Sequence, residues 1–122
     1  MRKGYIFLFL FLSFFVYSIF VYTEGTKVDE IIMSTEAVRG KLLYQNYNCT
    51  ACHQIYGLGG YLGPDLTNVV SKRKNSELVM RALLKFGSQR MPNYHLNESE
   101  INDIISYLKY VDQVTIIKSK VK

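Results

Sequence analysis

Two cysteines and a histidine stand close together in the segment Cys49-Thr50-Ala51-Cys52-His53. Thiols three positions apart lie on one side of a helical turn, where both can add to the two vinyl groups of a porphyrin. The residue that follows then presents an imidazole to the iron. The pattern C-x-x-C-H therefore predicts one covalently attached haem c, held by Cys49 and Cys52 with His53 as an axial ligand.

A redox-active dithiol and a zinc site are the other interpretations of these residues. A thioredoxin-type dithiol follows a strand in an α/β unit, and the sequence shows no such unit. Two cysteines and two histidines make a thin zinc ligand set in a chain without finger or ribbon spacing. Both are weaker interpretations than haem, and a Soret absorption band distinguishes haem from either.

The second axial ligand has four candidates in the exported part of the sequence, Met33, Met80, Met91 and His95. Met80 falls on the apolar stripe of a predicted helix, and Met33 precedes the first helix. Met91 lies in a loop where Pro92 forces an extended chain and prevents a helix. A thioether favours ferrous iron and raises the potential, as suits an electron carrier. We expect Met91 to bind the iron, with His95 or an open or water-ligated position as the alternatives.

The glycine-rich stretch from Gly57 to Pro64 reads GLGGYLGP and is predicted to be a loop. An axial imidazole needs a partner for its other ring nitrogen, which fixes the tautomer and the ring orientation. A backbone carbonyl in a nearby loop is a usual partner. We expect the carbonyl of Pro64, or that of Gly63, to accept this hydrogen bond from His53.

The elements that must position these residues are predicted to be helices. Apolar residues recur at helical spacing from Ser34 to about Tyr47, from Asn75 to Phe86, and after Asn97, where Glu100 completes a capping box. No strand pattern of useful length appears, so the exported domain is predicted to be all-α.

The first and last of these helices are expected to cross, with Gly40 facing Tyr107 or Leu108 at the closest point. A glycine at that point would allow the two backbones to approach closely.

Length and composition limit the fold further. The chain has 122 residues, 2 cysteines and a formal charge of +5, and six of its 7 phenylalanines lie near the N-terminus. The remaining part suffices for one small domain but is poor in large apolar side chains. Two cysteines exclude a multi-disulfide scaffold, and the length excludes a large enzyme barrel. A cofactor is therefore expected to supply part of the core. The apolar residues expected to surround the haem are Leu42, Leu43, Leu83, Phe86, Ile104, Ile105 and Leu108.

The N-terminal segment from Tyr5 to Tyr22 is uncharged and, at about 1.5 Å per residue, reaches about 27 Å. Basic residues precede it and acidic residues follow, which puts the N-terminus in the cytoplasm. We predict an uncleaved single-pass anchor over residues 1–23, a linker over 24–33, the domain over 34–113 and a frayed basic tail over 114–122. A cleaved signal peptide is the alternative, although its cleavage pattern is missing.

The segment CTACHQIYGLGGYLGPDL, followed downstream by RMPNYHLNESEINDIISYLKYVD, resembles a class I cytochrome c domain. More narrowly, it is similar to the membrane-anchored cytochrome c subunits of bacterial nitric oxide reductases. The resemblance extends from Ser34 to Asp112 and includes the anchor. The narrower likeness rests on Gly57, Gly59, Tyr61, Pro64, Asp65 and Leu66, and on Met91, Pro92, Tyr94, Glu98 and Glu100.

The resemblance implies a non-catalytic subunit in the inner (cytoplasmic) membrane, with its haem domain on the periplasmic side. Such a subunit takes electrons from a soluble periplasmic donor. It passes them to a polytopic catalytic subunit that reduces two NO to N2O in denitrification.

The resemblance also implies roles for individual residues. Cys49 and Cys52 would hold the haem, and His53 and Met91 would ligate its iron. Gly59 and Tyr61 would lie at the subunit boundary, where a calcium ion is shared with the partner.

Other functions fit the same sequence. A membrane-anchored cytochrome c serving another respiratory complex, such as a haem-copper oxygen reductase, has the same fold, and a haem enzyme with an open axial site is a second class. The basic run Lys72-Arg73-Lys74 is either a solvated surface or a patch that steers an acidic donor. No nucleic-acid partner is expected.

Overall fold

The computed structural model describes residues 2–25, 32–72 and 74–120, in two units formed by residues 1–31 and 32–122. Most of the predicted linker (residues 26–31) and Arg73 of the basic run therefore lie outside the described residues. In the first unit a single helix, α1, spans Arg2–Glu24. Its segment Lys3–Glu24 is long and apolar enough to cross a membrane.

The second unit begins with helix α2, Thr35–Asn46. Ser34 is its N-cap, as the sequence predicts, because its Oγ accepts the Ala37 N–H at 3.2 Å. The helix ends at Tyr47, whose N–H donates to the Leu43 carbonyl at 2.9 Å. The 3-10 turn Cys49–Ala51 follows almost at once. A capped helix thus leads directly into the cysteine motif.

A small hairpin follows the motif and amends the expectation of a purely helical domain. Strand β1, Gln54–Ile55, pairs antiparallel with strand β2, Leu58–Gly59. The two turn residues, Tyr56 and Gly57, have φ angles of 55° and 76°, which is the geometry of a type I′ turn. Strands of two residues are too short to show an alternating pattern, so no periodic signal marks them in the sequence.

Helix α3, Ser76–Phe86, ends as the sequence predicts but begins differently. Gly87 has a φ of 70°, and its N–H donates to the Leu83 carbonyl at 2.8 Å. At the other end Asn75 adopts a left-handed conformation, with a φ of 66°, and makes no side-chain cap bond. The predicted Asn75 cap is therefore wrong in its chemistry, although the helix starts where it was expected.

Helix α4, Glu98–Lys120, has the predicted capping box. The Glu100 N–H donates to Asn97 Oδ1 and the Asn97 N–H donates to Glu100 Oε2, both at 2.9 Å. The helix also continues beyond the predicted domain end at residue 113, and the expectation of a frayed tail from residue 114 is wrong as far as Lys120. No glycine or proline follows Val111 to stop the helix.

Helices α2 and α4 cross at Gly40, as expected, but the predicted opposing residues are wrong. Instead of Tyr107 or Leu108, Gly40 faces the backbone of Asp103 and Ile104. A Cβ at Gly40 would overlap the Asp103 carbonyl and lie 2.9 Å from the Ile104 nitrogen. The crossing therefore lies about one turn earlier along α4 than the sequence suggested.

Side chains on both sides of this crossing close the seam. The Tyr44 and Tyr107 rings stack with their centroids 5.6 Å apart. Arg39 Nε and Nη2 donate to the two carboxylate oxygens of Asp103, both at 2.8 Å, and this pairing raises the Arg39 pKa. The buried apolar residues of the core are Ala37, Tyr44, Met80, Leu96, Ile101, Ile104, Ile105, Leu108 and Val111.

Candidate haem-binding site

The cysteine motif folds as a tight turn. The His53 N–H donates to the Cys49 carbonyl at 2.9 Å, and the Cys52 N–H reaches the same oxygen at 3.2 Å. Both cysteines are half-buried free thiols, and burial raises the pKa of the Cys49 thiol. Two unpaired thiols one turn apart are the donor set that covalent haem attachment needs.

The glycine-rich loop runs alongside this turn and is hydrogen-bonded to it. The Gly60 N–H donates to the Thr50 carbonyl, and the Gly63 N–H donates to the Cys52 carbonyl, both at 2.8 Å. These bonds hold the loop within backbone contact of the motif, which explains why its residues are small.

Two glycines of the loop have no room for a side chain. A Cβ at Gly59, where φ is 131°, would overlap the His53 carbonyl, and a Cβ at Gly60 would overlap the Ala51 carbonyl. The glycines are therefore required by close packing against the C-x-x-C-H turn as well as by loop geometry.

The half-buried imidazole of His53 is held by this loop at two places. Its Nδ1 lies 2.9 Å from the Pro64 carbonyl oxygen, the first of the two carbonyls proposed from the sequence. A Cβ at Gly63 would lie 2.6 Å from Nδ1 and 3.0 Å from Nε2, so the ring rests directly on this glycine. A carbonyl can only accept, so Nδ1 is the protonated nitrogen and Nε2 keeps its lone pair for a metal.

Met91 lies in a different part of the domain, in the loop that joins α3 to α4. Its side chain is half-buried, and the Ser88 N–H donates to its carbonyl at 2.8 Å. Met80 is 7% exposed and belongs to the core cluster, as its position on the apolar stripe predicted. His95 is exposed in a left-handed conformation, and its N–H donates to Asn93 Oδ1 at 2.8 Å.

An apolar stripe on α3 is left uncovered. Val79, Leu83 and Phe86 recur at the spacing of one helical face, and Phe86 is 70% exposed. Leu83 and Phe86 were expected to pack around the haem together with Leu42 of α2, and all three are exposed. Exposed apolar side chains, two free thiols and an imidazole with a free Nε2 together fit a flat apolar group that carries iron.

The residues expected at a calcium site lie in the glycine loop and its rim. Tyr61 is 87% exposed, and its neighbours Leu58 and Leu62 are exposed as well. Among the described residues no three His, Cys, Asp or Glu side chains group in a way that could hold a metal ion. Sequence reasoning missed two other residues of this region, Thr67 and Ser88, whose hydroxyls bind loop backbone.

Three helices around a C-x-x-C-H turn, with the histidine hydrogen-bonded to a loop carbonyl, define a small haem c protein. The family model for cytochrome c matches residues 37–112, and the chain belongs to the cytochrome c family. Membership implies covalently bound haem c, as the motif predicted.

Several proteins of one respiratory enzyme are similar to this chain. A nitric oxide reductase subunit of Stutzerimonas stutzeri is 31% identical over 105 residues, covering 76% of this chain and 72% of the relative. The subunit of the same name from Halomonas halodenitrificans is 26% identical over 105 residues, covering 76% and 70%. A cytochrome c-553-like protein of Synechocystis sp. is 32% identical over 79 residues, covering 65% and 72%. The resemblance to nitric oxide reductase cytochrome c subunits is thereby confirmed.

Proposed function

We propose that this chain is the electron-transfer subunit of a nitric oxide reductase, carrying electrons from a periplasmic donor to a catalytic subunit that reduces two NO to N2O. The observation that carries the proposal is the environment of His53, whose Nδ1 is bound by Pro64 beside two free thiols. The likeness to proteins named as nitric oxide reductase subunits supplies the choice of enzyme. The chain on its own catalyses no reaction.

In this proposal each residue of the site has a holding role. Cys49 and Cys52 bind the porphyrin through thioethers, and His53 Nε2 and the Met91 sulfur bind the iron from opposite sides. Pro64 fixes the His53 ring and its tautomer. Haem c, when bound, supplies one-electron Fe(III)/Fe(II) chemistry. The protein contributes a rigid apolar environment that keeps both ligands in place in both oxidation states.

The assignment of Met91 is tested by a matched pair of substitutions. Met91→Leu and Met80→Leu conserve volume and differ in whether a ligand is removed. We expect Met91→Leu to lose the thioether-to-iron charge-transfer band, to bind cyanide at once in the ferric state and to have a lower reduction potential. Met80→Leu should keep the band and the potential. The reverse result would make Met91 a loop residue and open the axial site.

We propose that α1 anchors the domain in the inner membrane with the N-terminus in the cytoplasm. Arg2 and Lys3 precede the apolar segment and Glu24 follows it, which is the charge distribution of an N-in anchor. A C-terminal alkaline phosphatase fusion should be active and a β-galactosidase fusion inactive. The opposite pair of activities would reverse the topology.

The exposed rim of the glycine loop is the surface that we propose for the catalytic subunit. Leu58, Tyr61 and Leu62 present apolar area to solvent, which is costly unless a partner covers it. A calcium ion at this boundary would be bound by Gly59 and Tyr61 and completed by the partner's oxygens. We expect Tyr61→Ser to reduce co-purification of the partner, whereas Leu78→Ser, at an exposed position of α3, should not. If a chelator leaves the complex intact, the calcium part of the proposal fails.

Donor docking is proposed to involve the basic run at residues 72–74. Lys72 and Lys74 are exposed, and like charges of this kind accelerate association with an acidic partner at low salt. Replacing both by glutamine should lower the rate of reduction by an acidic donor and weaken its dependence on ionic strength.

The whole proposal is tested by capturing the full chain. Membranes of the native host are solubilised in mild detergent, the chain is isolated through a C-terminal tag, and NO consumption is measured with a reduced donor. A polytopic haem protein should co-purify and the eluate should consume NO. A haem-bearing chain that arrives alone, or with an oxygen reductase, would assign it to another respiratory complex.

A further inference from the structure

The loop that carries Met91 is shaped by the two residues that follow α3. Gly87 has a φ of 70°, and a Cβ there would lie 2.7 Å from the Met91 carbonyl oxygen and 3.0 Å from the Asn93 nitrogen. The loop therefore turns back tightly enough that Met91 lies against the end of α3. This approach is possible only with glycine at position 87.

Ser88 binds Met91 through two hydrogen bonds. The Ser88 N–H donates to the Met91 carbonyl at 2.8 Å, and the Met91 N–H donates to Ser88 Oγ at 3.2 Å. Both polar groups of the Met91 peptide backbone are thus bound by one residue. A residue held in this way on both its donor and its acceptor has little freedom to rotate its backbone.

Restraints on the other side of Met91 act further along the loop. Pro92 fixes one backbone torsion. The Tyr94 ring packs on Tyr47 at the end of α2, with centroids 5.2 Å apart. Leu96 is buried in the core at the entrance to α4. These contacts hold the loop to the domain, whereas the bonds from Ser88 act on Met91 itself.

We propose that Ser88 is a positioning residue for the Met91 ligand: its two hydrogen bonds hold the Met91 backbone where the thioether reaches the iron. The inference rests on the proposed role of Met91. An exogenous ligand can take the iron only after the thioether moves away, and the Ser88 hydroxyl must release the Met91 N–H before this loop opens. Ser88 therefore limits the rate of ligand exchange without touching the iron.

The experiment uses the full, haem-loaded chain in mild detergent, oxidised to the ferric state and mixed with cyanide. Ser88→Ala removes one of the two bonds, and because Ser88 is exposed the change leaves no cavity. Losing one hydrogen bond should make loop opening, and so cyanide binding, about 2-fold to 10-fold faster. Ser88→Thr keeps the hydroxyl and should bind cyanide at the wild-type rate.

A control variant separates positioning from general stability. Ser76 Oγ donates to the Val70 carbonyl at 2.8 Å, away from the Met91 loop, so Ser76→Ala removes a comparable bond. Ser76→Ala should lower stability and leave the cyanide rate unchanged. In the wild-type protein, amide hydrogen exchange should show the Met91 N–H protected, and Ser88→Ala should abolish that protection.

The results that would overturn the inference differ from those that would overturn the ligand assignment. If the wild type shows the thioether charge-transfer band and binds cyanide slowly, but Ser88→Ala binds cyanide no faster, Ser88 does not position Met91. Equal acceleration by Ser76→Ala would reduce its role to general stability. If the wild type lacks the band and binds cyanide at once, Met91 is not the ligand and both proposals fail.

Discussion

Adding one methyl group at Gly40 is expected to force α2 and α4 apart. The new Cβ would overlap the Asp103 carbonyl and lie 2.9 Å from the Ile104 nitrogen, and neither backbone atom can move without its helix. The two helices must therefore separate by about 1 Å, and a gap of that size forfeits a quarter to a half of the dispersion energy across the seam.

The size of the effect follows from what packs in this seam. Four large apolar side chains of α4 are buried there, each worth about 2 kcal/mol, so losing a quarter of their packing costs about 2 kcal/mol. Separation also stretches the Arg39–Asp103 pair, while alanine gains about 1 kcal/mol in helix propensity. We expect Gly40→Ala to lower the free energy of unfolding by about 2 kcal/mol and Gly40→Leu to impair folding. The four side chains are Ile101, Ile104, Ile105 and Leu108.

The measurement is urea unfolding of the haem-loaded full chain in detergent, followed by far-UV circular dichroism. For a slope of about 2 kcal/mol per molar, the urea midpoint of Gly40→Ala should fall by about 1 M. Lys41→Ala, the neighbouring exposed residue of α2, is the control and should change the free energy by less than about 0.5 kcal/mol. A Gly40→Ala midpoint equal to the wild type, or a stable and fully haem-loaded Gly40→Leu, would refute the close crossing.

Three further substitutions test the site and the core. Gly63→Ala should push the His53 ring off its hydrogen bond, and a change of the ferric absorption spectrum toward a high-spin form, absent if the ring has room, would report it. Tyr44 has a buried hydroxyl without a hydrogen-bond partner among the described residues, and burial raises its pKa, so Tyr44→Phe should stabilise the protein by about 1 kcal/mol. A clear loss of stability would instead reveal a partner such as bound water. Hydrogen bonds from the Thr67 hydroxyl and N–H lower the Asp65 pKa, so this carboxylate stabilises the fold above its unfolded pKa of about 4 and the contribution is lost on acidification. Thr67→Val should therefore be less stable at pH 7 and lose less stability between about pH 5 and pH 3, which urea midpoints at the two pH values would check.

Local patterns accounted for most of the elements. The Ser34 cap, the Asn97 capping box and the Gly87 stop could be predicted because each involves residues within one turn of a helix. The Pro64 carbonyl could be proposed because an axial histidine needs an acceptor and a loop followed it closely. The β1–β2 hairpin could not, since two-residue strands carry no periodic signal and depend on the positive φ of Tyr56.

Pairings between distant segments were less accessible. Gly40 was expected to mark a helix crossing, but its opposing residues were placed a turn too far along α4, because helical periodicity fixes which face packs and not how far two helices slide along each other. The bonds from Ser88 to Met91 were missed because a serine in a polar loop has many possible partners, and only the fold of the loop selects one.

The sequence by itself determined the haem-attachment chemistry, the helical class and the apolar N-terminal segment, because each depends on residue types at short, fixed spacing. Tertiary structure alone decided how the glycine loop packs on the C-x-x-C-H turn, where α2 meets α4, and which hydroxyl holds Met91. Those features depend on how separate segments of the chain come together, and their geometry is set by the packing of whole elements, which no local pattern encodes.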